Sequence, residues 1–190
     1  MKDFRKVLIF APITGVIIGV CLILLFSGTV YLSLNGFAVD KDGLLYIGKE
    51  NGIAVMDNGT LHHTVTVPTS RGYFFTITEG NTILLSDASI VYTMDLTGQI
   101  LSRKEDVNAA IYTRLQFQST YTAADGSVYI LKRPMGRIQI SHDQEVLYKM
   151  PSLDYGVALL LVLTSLATVV FGICIVVTRL RSMIAKSEKP

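Results

Sequence analysis

Cysteine is scarce in this 190-residue chain: Cys21 and Cys174 are the two that occur, and each lies inside a long apolar run. The polar stretch between the runs has none, so no disulfide or thiolate metal site can staple it, and it must hold together by strand pairing and a core. Inside the runs the two thiols read as small apolar residues. Charge is missing from residues 7–31 and again from 155–178. A helix needs about 20 apolar residues to cross a bilayer, and both runs are long enough. Transport pathways commonly mark themselves with intramembrane Asp, Glu, Lys, Arg or His, so a transporter or channel acting alone is not expected.

The first run follows Lys2, Arg5 and Lys6, as the core of a secretory signal would. Its apolar part exceeds the 7–15 residues usual for such a signal, and bulky Phe26 and Tyr31 stand where a cleavage site needs small residues. No cysteine follows in a lipid-anchor position. An uncleaved anchor is the reading. Near the membrane, seven basic residues face two acidic ones: Lys2, Arg5 and Lys6 with Asp3 in front, Arg179, Arg181, Lys186 and Lys189 with Glu188 behind. That bias places both tails in the cytoplasm and the middle outside it, at a plasma membrane. Between the runs the balance reverses, with ten basic and thirteen acidic residues. The chain's net +2 therefore says nothing of nucleic acid. The expected organisation is a cytoplasmic tail 1–6, a first span 7–32, an extracytoplasmic β domain 33–154, a second span 155–178 and a basic tail 179–190.

The middle is a repeat, with units at about 37–72, 73–117 and 118–151 whose corresponding positions recur about 38 and 46 residues apart. Each unit runs extended segment, tight turn, apolar strand, second turn, apolar strand, third turn. Asp42-Gly43 and Asp125-Gly126 are hairpin-turn pairs that supply positive φ, and Tyr46-Ile47 and Tyr129-Ile130 are strand-filling residues. Asn58-Gly59 and the stretch from Asp95 to Gly98 make later turns. Fixed-period units of four short strands with Gly and Asp turns mark propeller blades.

On these residues the chain resembles β-propeller repeats of the two-component-regulator, NHL and quinoprotein types, whose pattern begins D-x-x-G-x-[LV]-[YW]-[IV]-G. The resemblance covers most of 37–151 and implies a shape rather than an activity. With the two apolar runs it gives an expected fold of membrane α plus β, two transmembrane helices flanking an extracytoplasmic all-β domain of about three blade-like antiparallel sheets. Propellers close with four blades or more. Three leave open a small β domain that closes by itself, a six-blade ring made by a second copy, and completion by a partner's strands.

Candidate chemistry thins out under test. His62 and His63 are neighbours in a strand, are expected on opposite faces, and would not share an ion. Ser141-His142-Asp143 reads as a hairpin turn rather than a triad, whose members must converge in space. Asp40-Lys41-Asp42-Gly43 opens like a calcium loop but lacks the later ligands. Asn58-Gly59-Thr60 fits a glycosylation acceptor and, first, a turn. No phosphate-cradling glycine loop is present, and neither a metal nor a cofactor is expected. Ala11, Gly15 and Gly19 share one face of the first apolar run, and Thr164, Thr168 and Gly172 form a small-residue stripe in the second, read as helix-packing faces. Arg71, Arg103, Lys104, Arg114, Lys132, Arg133 and Arg137 form a loose basic set, in which Lys132, Arg133 and Arg137 flank a turn suited to an acidic partner or lipid headgroups. Tyr112, Phe117 and Tyr121 are expected in the core.

Two function classes follow. One is a non-enzymatic accessory or sensor subunit whose outer domain docks on an integral membrane protein partner, a transporter or envelope assembly, or on a second copy. The other is a stand-alone extracytoplasmic module that binds a ligand or glycan. Tails of about six and twelve residues are too short for an output domain.

Overall fold

The computed structural model describes residues 2–27, 29–69 and 72–187, without the side chains of 2–12, 179 and 181–187. The chain divides into two compact units. One is Tyr31–Pro151, and the other combines Met1–Val30 with Ser152–Pro190.

The second of these is helical. Helix α1 spans Lys2–Phe26 and helix α3 spans Ser152–Ser187. Within α3, the 27 residues Ser152–Thr178 have a hydropathy of 2.8 and are almost wholly unburied, so this helix is long and apolar enough to cross a membrane. It is the one that meets this test among the described residues. The described apolar part of α1, Ile13–Phe26, is shorter. Helix α1 also stops at Phe26 instead of running to 32. The Ser27 hydroxyl donates to Leu24 O at 3.1 Å and sits 2.8 Å from the Thr29 hydroxyl, while the Thr29 and Val30 amides turn back to Leu24 O. Such local side-chain bonds compete with helix continuation. In α3 the hydroxyls of Thr164, Thr168 and Thr178 donate to the carbonyls of Leu160, Thr164 and Cys174, so these polar groups are satisfied within the helix.

The unit Tyr31–Pro151 is built from three antiparallel four-strand sheets in blade-like repeats. The first holds β1 Phe37–Val39, β2 Leu45–Lys49, β3 Gly52–Asp57 and β4 Thr60–Val65. The second holds β5 Phe74–Ile77, β6 Ile83–Ser86, β7 Ile90–Met94 and β8 Ile100–Glu105. The short helix α2, Ala110–Gln116, follows it. The third holds β9 Thr120–Thr122, β10 Val128–Lys132, β11 Gln139–His142 and β12 Glu145–Lys149.

The repeat extends to hydrogen bonds that the sequence hides. Asp40, Thr78 and Ala123 each head the same turn: the amide of the heading residue donates to the carbonyl four positions on, and its own carbonyl accepts from the amide three positions on. The third residue after each head, Gly43, Asn81 or Gly126, has positive φ. The pairing of third and fourth strands is bulged once in every sheet, at Val55/Met56, Thr93/Met94 and Ile140/Ser141.

The sheets differ in what covers them. Strand β1 packs against both β5 and β9. The strands β1, β2 and β3 are buried almost continuously, as strands with both faces covered must be. In β5 of the second sheet and β10 of the third, burial alternates. The first sheet is thus the middle layer. Its Phe37, Tyr46, Ile47, Ile53 and Val55 join Phe75, Leu85, Tyr121 and Ile140 of the neighbours in one core. Gly48 permits close approach there, since a Cβ would meet Asn35 O at 2.8 Å and the Phe75 ring at 2.9 Å. Helix α2 covers the outward face of the second sheet, where the Tyr112 ring meets Phe74 edge-on at 5.1 Å. The outward face of the third sheet leaves Val128, Ile130 and Val146 exposed by 43, 39 and 48%.

Candidate functional site

The inner strands β1, β5 and β9 end together. Tyr121 marks the junction: its hydroxyl donates to Val39 O at 2.8 Å and stands 3.4 Å from Ile77 O, so one phenol touches strand ends of all three sheets. Burial, then the nearby Asp40 carboxylate, raises its pKa. Above it lies a hollow of about 390 Å³ lined by Val39, Lys41, Ile77, Glu79, Asn81 and 121–124 among others. Lys41 and Glu79 give it both signs of charge, and the Lys41 amide donates to Asn81 Oδ1 at 3.3 Å. It offers hydrogen bonds to a small polar ligand, but no nucleophile paired with a base.

Asp40 supports this end from beneath. Its Oδ1 accepts the amides of Asp42 and Leu44, both at 2.9 Å, and its Oδ2 accepts the Tyr46 hydroxyl at 3.2 Å. Both oxygens serve the turn, which is the physical reason the calcium-like spelling 40–43 makes a turn. Burial and Asp40 together push the Tyr46 phenol far above its ordinary range. At the opposite end, Tyr73 bridges the second sheet to the first. Its hydroxyl lies 2.7 Å from Lys49 O and 2.8 Å from Gly52 O, to either of which it can donate, and burial raises its pKa strongly.

Asp106 does the same for α2. Its carboxylate accepts the Ser86 hydroxyl at 2.6 Å and the amides of Ile111 and Tyr112 at 3.0 and 2.9 Å. Burial pushes its pKa up, but the bonds from Ser86, Ile111 and Tyr112 outweigh that and hold it below the usual carboxylate value.

The turn residues fall where turns are needed. Asn58 and Gly59 both take positive φ in the β3–β4 hairpin, and Asn58 Nδ2 donates to Asp57 Oδ1. Asp95 closes the turn ending at Gly98 by accepting from the hydroxyl and amide of Thr97 and the amide of Gln99, which lowers its pKa. Asp125 accepts the Ser127 amide at 2.9 Å beside Gly126, and that bond leads the lowering of its pKa.

Two expectations about neighbouring side chains need correction. His62 and His63 do not diverge: their Nδ1 atoms lie 2.8 Å apart and their rings meet edge-on. The bulge explains it, because Val55 pairs with His63 and Met56 with Leu61, leaving His62 as the extra residue. No third metal-ligating side chain joins them among the described residues. His142 and Asp143 also meet, at 3.3 Å, with His142 stacked on Tyr129. Ser141 Oγ instead lies 3.5 Å from Ile130 O, so no triad assembles.

Among the basic set, Arg137 is committed to its own chain, donating through Nε and Nη2 to Met150 O at 2.9 and 2.7 Å, so it does not join Lys132 and Arg133 as a free contact. Those two are exposed beside Met135, whose exposure is 94%. Arg103 lies over the Tyr92 ring at 5.9 Å, and Arg71 falls outside the described residues. Tyr121 is in the core and Tyr112 is half-buried, but Phe117 is 75% exposed at the end of α2, which covers the second sheet with its other residues. In the helical unit Thr164 is buried, whereas Thr168 and Gly172 are exposed. A Cβ at Gly15, Gly19 or Gly172 would meet nothing within 4 Å, and the side chain of Ala11 is outside the described residues.

No family model and no curated protein matches the chain. Among solved structures it is similar to a catalytically inactive virginiamycin B lyase from Staphylococcus aureus with quinupristin, at 14% identity and TM-score 0.33, over 64% of this chain and 42% of that one. A streptogramin B lyase gives 16%, 0.34, 64% and 42%, and a protein of unknown function from Bacteroides caccae 13%, 0.30, 62% and 45%. The chain spans less than half the length of each. The blade plan therefore rests on the three sheets themselves.

Proposed function

We propose that this chain is a non-enzymatic accessory or sensor subunit, held in a plasma membrane by both apolar helices with its tails cytoplasmic and its β unit outside. The β unit docks on an integral membrane protein partner, a transporter or envelope assembly. The supporting observation is the contrast between strands: β1, β2 and β3 of the first sheet are buried almost throughout, α2 packs on β5 and β6 of the second, and the third turns Val128, Ile130 and Val146 outward. Exposed β-branched residues clustered on one sheet face are the mark of an interaction surface.

The hollow over Tyr121 favours a second reading, a stand-alone module binding a small polar ligand or a glycan end. Extraction of the tagged chain from its native membrane in mild detergent, with native mass determination, separates the readings. A larger hetero-complex that Ile130→Glu dissolves supports docking. A monomer contradicts it and favours the ligand module, and a dimer points to ring completion by a second copy.

A further inference from the structure

The two ends of the β unit carry opposite chemistry. Every sheet is an antiparallel meander, so first and third turns share one end and second turns lie at the other. The hollow gathers the first turns. They bring Asp42, Glu79 and Asp125, and the third turns bring Asp57, Asp95 and Asp143, against the single Lys41.

The other end is where the chain arrives and leaves. Asn51 Nδ2 donates to the Tyr31 hydroxyl at 3.0 Å and Lys49 lies over the same ring, tying the incoming chain to the β2–β3 turn. Arg137 on Met150 O ties the outgoing chain to the β10–β11 turn. By covalent connection alone, α1 ends five residues before Tyr31 and α3 begins two residues after Met150. This end presents Lys132, Arg133 and Lys149 and the half-buried Lys49, with Glu50 and Glu105 as its exposed acids. Three large apolar side chains stand out on it: Val107, Phe117 and Met135, exposed by 71, 75 and 94%. Met135 is held at the tip of its turn with φ of 49°.

We infer that this end is a lipid-contacting face, its basic residues against anionic phospholipid headgroups and Met135 and Phe117 dipping into the interface. Apolar side chains ringed by lysine and arginine are the composition that binds the headgroup boundary, and the attraction to anionic lipid is screened by salt. The inference rests on the proposed membrane anchoring.

The chain has no tryptophan, so a single one reports its own surroundings. Full-length Met135→Trp is placed in nanodiscs of phosphatidylcholine with or without phosphatidylglycerol, some carrying brominated acyl chains. Asn58→Trp reports the opposite end and Val169→Trp reports α3. The expected result is blue-shifted, bromine-quenched emission from Met135→Trp that is stronger with phosphatidylglycerol, fades with salt, and is lost when Lys132→Glu and Arg133→Glu are added. Emission from Met135→Trp matching the unquenched Asn58→Trp, while Val169→Trp is quenched, overturns the inference and leaves the anchoring intact. Quenching of Met135→Trp that ignores phosphatidylglycerol and salt overturns the headgroup assignment. An unquenched Val169→Trp removes the anchoring and the inference with it.

Discussion

The first and third sheets are cut to one plan and live in different surroundings. Both are four-strand meanders with the same heading turn and a bulge before the last strand. Yet β2 and β3 bury almost every residue, whereas β10 alternates exposed with half-buried ones. The repeat supplies a scaffold, and position in the stack decides whether a sheet organises the core or offers a face. The middle sheet spends its apolar residues on both neighbours; the outer one keeps Val128 and Ile130 outward.

The sharpest way to break this contrast is to truncate one strand residue in each sheet. Ile53→Ala, at a fully buried site of the first sheet, is expected to cost about 2–5 kcal/mol in urea melts. Ile130→Ala in the third sheet is expected to cost under about 1 kcal/mol, since its side chain is already partly wet. Equal losses would deny the first sheet its central place.

Next come the phenols that join sheets. Tyr73→Phe and Tyr121→Phe each remove a phenol hydrogen bond to strand-end carbonyls and are expected to cost about 1 kcal/mol. Melting should stay a single transition if the three sheets form one core. Two transitions would separate the sheets.

An effect of similar size compares equivalent hairpins. The first sheet turns through Asn58-Gly59, but the third forces Asp143 and Gln144 to φ of 45° and 73°. Gln144→Gly is expected to stabilise by about 1 kcal/mol, and Gly59→Ala to destabilise by a similar amount.

The smallest effect is seen in alkali. Tyr46 and Tyr73, both bonded to the first sheet, have phenol pKa values raised mainly by burial. A raised folded value favours the neutral form, so this stability is fully present below about pH 10, the ordinary tyrosine value, and is lost as pH rises past it. Absorbance titration should show these two phenolates appearing only as the unit unfolds; reversible ionisation of all tyrosines near the ordinary value would contradict their burial.

Much of this pattern can be read in the chain, but not the stacking. Asp42-Gly43, Asn58-Gly59 and Asp125-Gly126 announce turns because glycine takes positive φ at little cost, as Gly43, Gly59 and Gly126 do. The second unit's equivalent turn runs through Thr78 and Asn81, which carry a weaker signal, and Gln144 carries none. Bulges leave no residue signature, so the meeting of His62 with His63 is invisible until the register is known. The continuous apolar spelling of 44–47 and 53–56 hints at a doubly covered sheet, but not at which neighbours cover it. Asp106 four residues ahead of a short helix looks like any loop acid, and its capping role depends on the left-handed Asn108 and Ala109 that fold it back. The expected packing stripe in the helices follows spacing alone, and spacing does not choose a partner.

Carbene footprinting of the full chain in its native-membrane extract, before and after the proposed partner is stripped away, is the direct test of one sheet for the core and another for docking. Val128, Ile130 and Val146 should label strongly only after stripping, while Ile47 and Val55 stay unlabelled throughout. Labelling of the third-sheet residues that is the same in both states would contradict it.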